Sequence, residues 1–409
     1  MHGMTFKDLQ QKFYDLIIEI QTHGGNLVFV GGCVRDILMQ RTPKDFDAEV
    51  YGIAPEGLEK ILRKFGPVKT IGKSFGVFYA MELGIEVAIP RMEKKIGQGH
   101  KGFEIFLDST LEFKKASSRR DLTINSMGYD PLKDQLLDPW GGQEDLQAGI
   151  LRATNPDSFG EDPLRALRVA QFAARFSMKP SDDLIHLCSK QDLSELPAER
   201  ILEEMKKLLI KGVKPSYGLK FLRDAHLLHF FPELLITDAL LEWVDKAAFK
   251  RIEGQLEIDF PFMLGLLVLP MRDEISKHSF LKRLGVSAKC FKTVLLFEKS
   301  CAFLQDIKEG TCRKIAFFFY DAGIDLEKFL TLMEIVSGKP SMHKDFERCG
   351  AWDREKILPI IKGHHLLKWS PDILPHDFSR ILGGCHDIQL QEGLFEADAI
   401  WKRFQENQN

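Results

Sequence analysis

The sequence predicts an α/β head, a small mixed sheet with helices, followed by an all-helical neck, body and tail. Three observations carry that reading. Between residues 26 and 151, short runs rich in β-branched and aromatic residues alternate with glycine-containing turns. From Asp162 onward these strand signals fade and long helical periodicities replace them. A chain of 409 residues that is 44% hydrophobic and 28% charged carries apolar material for several cores, which excludes a disordered, collagen-like or membrane-bundle protein.

Taken in order, residues 1–20 mix Lys7, Asp8, Lys12, Asp15 and Glu19 into a helical apolar pattern, unlike the uninterrupted apolar core of an export signal. Strands are expected at 27–30, 76–81, 85–89 and 103–107, with a helix at 57–65 closed by Gly66-Pro67. Helices are then expected at 163–176, 198–211, 219–230, 260–269, 288–305, 313–319 and 326–336. The longest apolar stretch, 260–270, is about half of the ~20 residues a bilayer span needs. Of the aromatics 31 are Phe against 6 Tyr and 5 Trp, so rings serve mainly as apolar filler. The seven cysteines are scattered and form no CxxC pair, which reads as reduced thiols in a cytoplasmic protein.

The chemistry concentrates in the head. The run Leu27-Val28-Phe29-Val30 leads into Gly31-Gly32 and then a helix that begins with Arg35 and Asp36. Bare backbone N–H groups at such a turn face an anion, a phosphate-binding geometry, although two glycines after a strand also make an ordinary turn. Asp45 and Asp47 are two apart, so on a strand both carboxylates project from one face at a spacing suited to a shared divalent ion. Read alone, the pair is equally a solvated turn after Pro43. Glu86, flanked by Ile85 and Val87, places a third acid on an interior strand, where a lone carboxylate is expensive without a cation or hydrogen-bond partners. Three acids on neighbouring strands beside a glycine turn are what two-metal phosphoryl or nucleotidyl transfer requires.

Several ordered motifs then resemble the class II tRNA nucleotidyltransferase and bacterial poly(A) polymerase family. They are Gly31-Gly32-x-Val34-Arg35-Asp36 with Asp45-x-Asp47, Arg119-Arg120-Asp121 through Ser126, Asp138-Pro139-Trp140-Gly141-Gly142, Leu151-Arg152-Ala153-Thr154, and Glu161-Asp162-Pro163-Leu164-Arg165 with Arg168. The resemblance covers roughly residues 26–235. It implies a catalytic nucleotidyltransferase head at 1–150, a nucleotide-selecting neck at 151–235, a degenerate phosphohydrolase-like body at 236–345 and a tRNA-binding tail at 346–409. It also implies Mg²⁺ held by Asp45 and Asp47, triphosphate contacts from the Gly32 and Arg35 region, and ribose reading by Arg120 and Asp121. Asp162 and Arg165, three apart on one helix face, suit the Watson–Crick edge of C or A, since an aspartate accepts from an exocyclic amine and an arginine donates to ring nitrogens. Arg168 is expected one turn further on, reaching phosphate, and Asn125 is expected to fix its own turn.

Three departures stand against the family pattern. Gln171 replaces a usual arginine, Glu86 a usual aspartate, and the segment from Trp243 to Pro270 lacks the histidines of a metal-dependent hydrolase. The net charge of −3 speaks against a protein that coats nucleic acid along its length. Residues 59–120 nevertheless hold 13 Lys/Arg against 7 Asp/Glu, a local basic segment that includes the glycine-spaced stretch 90–102. The implied activity is addition of C, C and A to the 3′ end of tRNA from CTP and ATP. CC-only addition, A-only addition, poly(A) polymerase and a noncatalytic RNA-binding protein stand as alternatives. The near-neutral total weighs against the poly(A) polymerase, which grips varied RNA through nonspecific phosphate contacts.

Overall fold

Alternation along the head strands separates a packed face from a polar one. In β2 (Phe46–Tyr51), Phe46, Ala48 and Val50 enter the core while Asp47 and Glu49 lie on the opposite face. In β5 (Ile85–Ala88), Ile85 and Val87 enter the same core and Glu86 and Ala88 share the face of Asp47. These two strands run parallel, with Asp47 directly opposite Glu86. The full sheet has the order β3-β4-β5-β2-β1-β8-β9. Its other strands are β1 (Asn26–Val30), β3 (Val68–Thr70), β4 (Val77–Ala80), β8 (Gly128–Asp130) and β9 (Gln135–Leu137). Every other neighbouring pair is antiparallel, so the sheet is mixed, as the sequence predicts. A separate antiparallel ribbon joins β6 (Arg91–Lys95) to β7 (Phe103–Leu107).

The computed structural model describes residues 3–71, 76–95, 103–254, 258–303, 309–338 and 342–408. Most of the stretch 90–102 singled out for its charge therefore lies outside the described residues. The chain forms two units, Met1–Leu208 with Tyr217–Phe230, and Leu209–Ser216 with Phe231–Asn409.

In the first unit the core is built by Leu9, Phe13, Leu16, Ile17 and Ile20 of the first two helices against the inner face of the sheet. Phe13 packs edge-on to Phe46, 5.2 Å between ring centroids. The head passes into the helix Leu164–Phe176, whose buried residues include Leu164, Leu167, Ala170 and Ala174. The helix expected over 219–230 instead ends at Asp224; His226 takes a left-handed φ of 55° and a 3₁₀ turn covers Leu227–Phe230. A residue in that conformation cannot continue an α-helix, and helical periodicity does not register it.

The second unit is helical throughout its described residues beyond the connecting loops. Aspartate and threonine start its helices: Thr237, Asp259, Asp273 and Asp325 each accept from the backbone N–H of a first-turn residue. Phe262 and Phe329 each meet Phe297 edge to face and Phe319 packs at a tilt on Phe329, which accords with phenylalanine as filler. Among the described residues no helix is long and apolar enough to cross a membrane. None of the seven cysteines is in a disulfide.

Candidate active site

Val30 ends β1, and Gly31 turns the chain with a φ of 74° into the helix Gly32–Leu38. A side chain at Gly31 would be strained by that angle, which is why glycine stands there, and would crowd the Arg120 guanidinium, whose Nη1 would lie 2.8 Å away. Over this turn lies a cavity of about 340 Å³. Gly31, Gly32 and Arg35 line it from the turn, Asp47 from β2, and Arg120, Asp121 and Asn125 from the segment before β8. Asp162, Arg165, Arg168, Phe172 and Arg175 complete it from the neck. Five arginines against three aspartates make a cavity suited to a polyanion.

Most of these charges are already committed to partners. Arg35 holds Asp36 at 2.7 Å and donates to Asn125 Oδ1. Asn125 in turn donates to Asp121 Oδ1 at 3.0 Å. The buried Asp121 also accepts from the Leu122 backbone N–H at 2.8 Å and from Arg168 Nε at 2.7 Å. Burial works to raise the Asp121 carboxyl, but Arg168, Asn125 and the Leu122 N–H outweigh it and hold it below the usual carboxylate range. Arg165 donates to the carbonyl oxygens of Ser158 at 2.8 Å and Arg119 at 2.6 Å. Asp162 starts the neck helix by accepting from Leu164 N at 3.1 Å and pairs with Arg200 at 3.3 Å.

The two acids on the polar face of β2 contrast sharply. Glu49 is 1% exposed and accepts from Arg119 Nη2 and Arg120 Nη2, both at 3.1 Å, and from the Tyr51 hydroxyl at 3.0 Å. Burial pushes its carboxyl up, yet the two guanidiniums and the hydroxyl prevail and keep it low. Asp47 has no side-chain donor among the described residues. Its carboxyl is pushed up to about 6, first by burial, then by repulsion from Glu86, with Arg120 pulling the other way.

Among the described residues no three His, Cys, Asp or Glu side chains are arranged to hold a metal ion. Asp45 lies one residue before β2 and is exposed, so of the expected pair only Asp47 sits on the strand. The donor set still fits a hard divalent cation, which takes one or two carboxylates plus substrate phosphates and water. The under-compensated Asp47 beside Glu86 is the charge such an ion would neutralise. A nucleotidyltransferase fold works with divalent metal in general.

Of the residues singled out by sequence, Gly32, Arg35, Asp47, Arg120, Asp121, Asp162, Arg165 and Arg168 line this one cavity. Glu86 lines a neighbouring cavity of about 200 Å³ that shares Asp47 and Arg120 with the first and includes Arg91 and Arg119. Asn125, read as a turn residue, joins Arg35 to Asp121 through its side chain. Glu49 and Arg175 were missed, although both had a signal. Glu49 continues the i, i+2 series of Asp45 and Asp47, and Arg175 lies seven residues beyond Arg168 on one helix face. Gln171 is buried and does not line the cavity.

Two family descriptions match the chain: "Poly A polymerase head domain" over residues 27–152 and "Probable RNA and SrmB- binding site of polymerase A" over residues 184–236. A protein named "Multifunctional CCA protein" from Stenotrophomonas maltophilia is 36% identical over 216 residues, which cover 51% of this chain and 52% of that protein. Its namesake from Acinetobacter baumannii is 40% identical over 214 residues, half of each chain. The chain thus spans about half the length of the curated relatives it matches. Its fold is that of the Bacillus stearothermophilus CCA-adding enzyme solved with CTP, with a TM-score of 0.72 and 20% identity over 98% of this chain and 97% of that one. The Thermotoga maritima CCA-adding enzyme complexed with tRNA has the same fold, with a TM-score of 0.66 and 21% identity over 98% and 96% of the two chains. The similarity to poly(A) polymerase and CCA proteins thus lies in the head, residues 27–152, and in the segment 184–236 after it.

Proposed function

We propose that this protein adds C, C and A to the 3′ end of tRNA from CTP and ATP, releasing pyrophosphate, by metal-assisted nucleotidyl transfer with Mg²⁺ in the cytoplasm. The observation that carries this reading is the convergence of three groups on one cavity: the Gly31-Gly32 turn, the acid Asp47, and the pair Asp162 and Arg165 on the neck. Each group answers one need of the reaction. The glycine turn and the surrounding guanidiniums receive the triphosphate. Asp45 and Asp47 hold Mg²⁺, which when bound neutralises phosphate charge and lowers the pKa of an attacking hydroxyl. Asp162 and Arg165 face the base. Arg165, fixed by two backbone carbonyls, presents its remaining donors in one orientation, and Asp162 presents an acceptor, a pairing that suits CTP and ATP over UTP and GTP. Asp121, fixed by Arg168 and Asn125, is oriented toward ribose hydroxyls together with Arg120.

The division of labour follows the chain: catalysis by residues 1–150, nucleotide selection by 151–235, a helical body at 236–345 and tRNA contact by 346–409. The test is extension of labelled tRNA transcripts lacking the last three, two or one nucleotides, with Mg²⁺ and CTP or ATP. All three should be completed to CCA. Extension of only some of them would identify a CC-only or A-only enzyme, indiscriminate tailing would identify a poly(A) polymerase, and no extension would leave an RNA-binding protein. Asp162→Ala and Arg165→Ala should broaden nucleotide choice in the same assay.

A further inference from the structure

The buried acid Glu49 has no part in the reaction described above, yet it sits two residues from Asp47 on the same strand face, about 7 Å away along the strand. Its flanks, Ala48 and Val50, are in the core, and its own side chain is 1% exposed. A carboxylate in that setting is expensive unless it is paired. What the acid does is visible in its partners. Both oxygen-seeking arginines of the Arg119-Arg120-Asp121 segment converge on one oxygen, Oε1, at 3.1 Å each. Arg120 is the residue that, with Asp47, forms the wall shared by the two cavities. Its guanidinium therefore has two carboxylates in reach, and the one it contacts is Glu49.

We propose that Glu49 is a positioning residue that keeps Asp47 available to a divalent cation by holding Arg120, and Arg119 beside it, away from the Asp47 carboxylate. The inference rests on the reading of Asp47 as a metal ligand. Without the charge of Glu49, the carboxylates left to the Arg120 guanidinium in that cavity are Asp47 and its neighbour Glu86. An internal Arg120–Asp47 pair then competes with the metal for the same oxygens. A purely structural role for Glu49 would make a different prediction, general loss of stability with no specific effect on metal.

The experiment uses the full chain without RNA or nucleotide and measures Mn²⁺ binding by electron paramagnetic resonance. Glu49→Gln, nearly isosteric but neutral, should weaken Mn²⁺ binding at least about tenfold, the size expected for an unscreened cation some 7 Å from a half-buried site. Glu49→Asp, which keeps the charge, should retain most of the affinity. Glu49→Gln combined with Arg119→Gln, which removes the excess positive charge, should recover part of it. In extension assays the Glu49→Gln defect should shrink as Mg²⁺ is raised. Unchanged Mn²⁺ affinity in a folded Glu49→Gln protein, verified by its melting curve, would overturn the proposal. So would absence of Asp47-dependent Mn²⁺ binding in the unaltered protein. A protein that binds Mn²⁺ as expected but extends no RNA would sink the proposed activity and leave the role of Glu49 standing.

Discussion

Both units of the chain bury cations, and they use them in opposite ways. In the second unit Arg313 is 4% exposed and donates to the carbonyl oxygens of Leu390 and Gln391, in the short helical segment Gln389–Gly393, and of Cys349. Lys277 there is paired with Glu298 at 2.6 Å. These cations satisfy their own chain. In the first unit five arginines stand around one open cavity, and Arg175 among them has no hydrogen bond or ion pair to any described residue. Burial and the neighbouring Arg35 and Arg41 push its guanidinium toward the neutral form. A buried cation closed off by its own backbone is scaffold; of the five cavity arginines four are held by their own chain, and Arg175 is the one left to receive an anion.

The sharpest way to break the contrast is to remove the central acid of the site. Asp47→Ala should lower nucleotide addition by about a thousandfold or more, ~4 kcal/mol of transition-state stabilisation, while the melting temperature holds or rises. Steady-state extension with a thermal melt of the same sample checks both halves, and near-normal turnover would remove Asp47 from the chemistry. The scaffold counterpart is Arg313→Ala. Leaving three buried carbonyls without donors should cost about 3 kcal/mol or more of stability, read by denaturant unfolding, with CTP affinity of the folded protein unchanged.

Next in size is the unpartnered arginine. Arg175→Ala should raise the CTP concentration needed for half-maximal rate by about 10–100-fold, since a charge-assisted hydrogen bond is worth roughly 1.5–3 kcal/mol. Binding of cytidine, which lacks phosphates, should not change. An equal loss for cytidine would make Arg175 a packing residue.

A smaller effect links site charge to stability. Burial and the neighbouring Glu86 push the Asp47 carboxyl up to about 6 in the folded protein from 3.8, so the unfolded chain gives up this proton first as pH rises. The stability of the metal-free protein should therefore fall relative to Asp47→Asn as pH goes from about 4 to about 6, and the gap should stay constant above that. Melting temperatures of the two proteins across this range measure it. Adding Mg²⁺ at pH 7.5 should raise only the unaltered protein, and a gap independent of pH would refute the assignment.

Much of this site was legible in sequence because spacing translates directly into faces. Strand alternation put Asp47 on one face with Glu86, whereas Asp162, Arg165 and Arg168 were singled out by the ordered motifs, and Asp162 lies just before the helix Leu164–Phe176 rather than on its face. Strand alternation carried one step further reaches Glu49, and helical spacing from Arg168 reaches Arg175. What spacing could not give was pairing across long chain separations. Asn125 meets Arg35 across ninety positions, and Arg168 reaches back to Asp121 across 47. Both contacts depend on the head and neck packing together, which local pattern does not encode. The exposure of Asp45 was hidden for a related reason: β2 begins at Phe46, where pairing with Ile85 of β5 begins.

The smallest effect concerns Gln171, where the resemblance drawn from the sequence leads one to expect arginine. The side chain is 2% exposed and its Oε1 has no hydrogen-bond partner among the described residues. It points into packing, whereas Phe172 and Arg175, one and four positions on, line the cavity. Two substitutions separate the possibilities. Gln171→Met removes a buried carbonyl that lacks a donor and nearly conserves volume, so it should stabilise by about 1 kcal/mol without altering CTP kinetics. Gln171→Arg would bury a longer, charged side chain in a packed position, so it should destabilise and bring no gain in CTP affinity. If instead Gln171→Arg tightened CTP binding at no loss of stability, position 171 would belong to the site, and Arg175 would no longer be needed to explain how this chain holds a triphosphate.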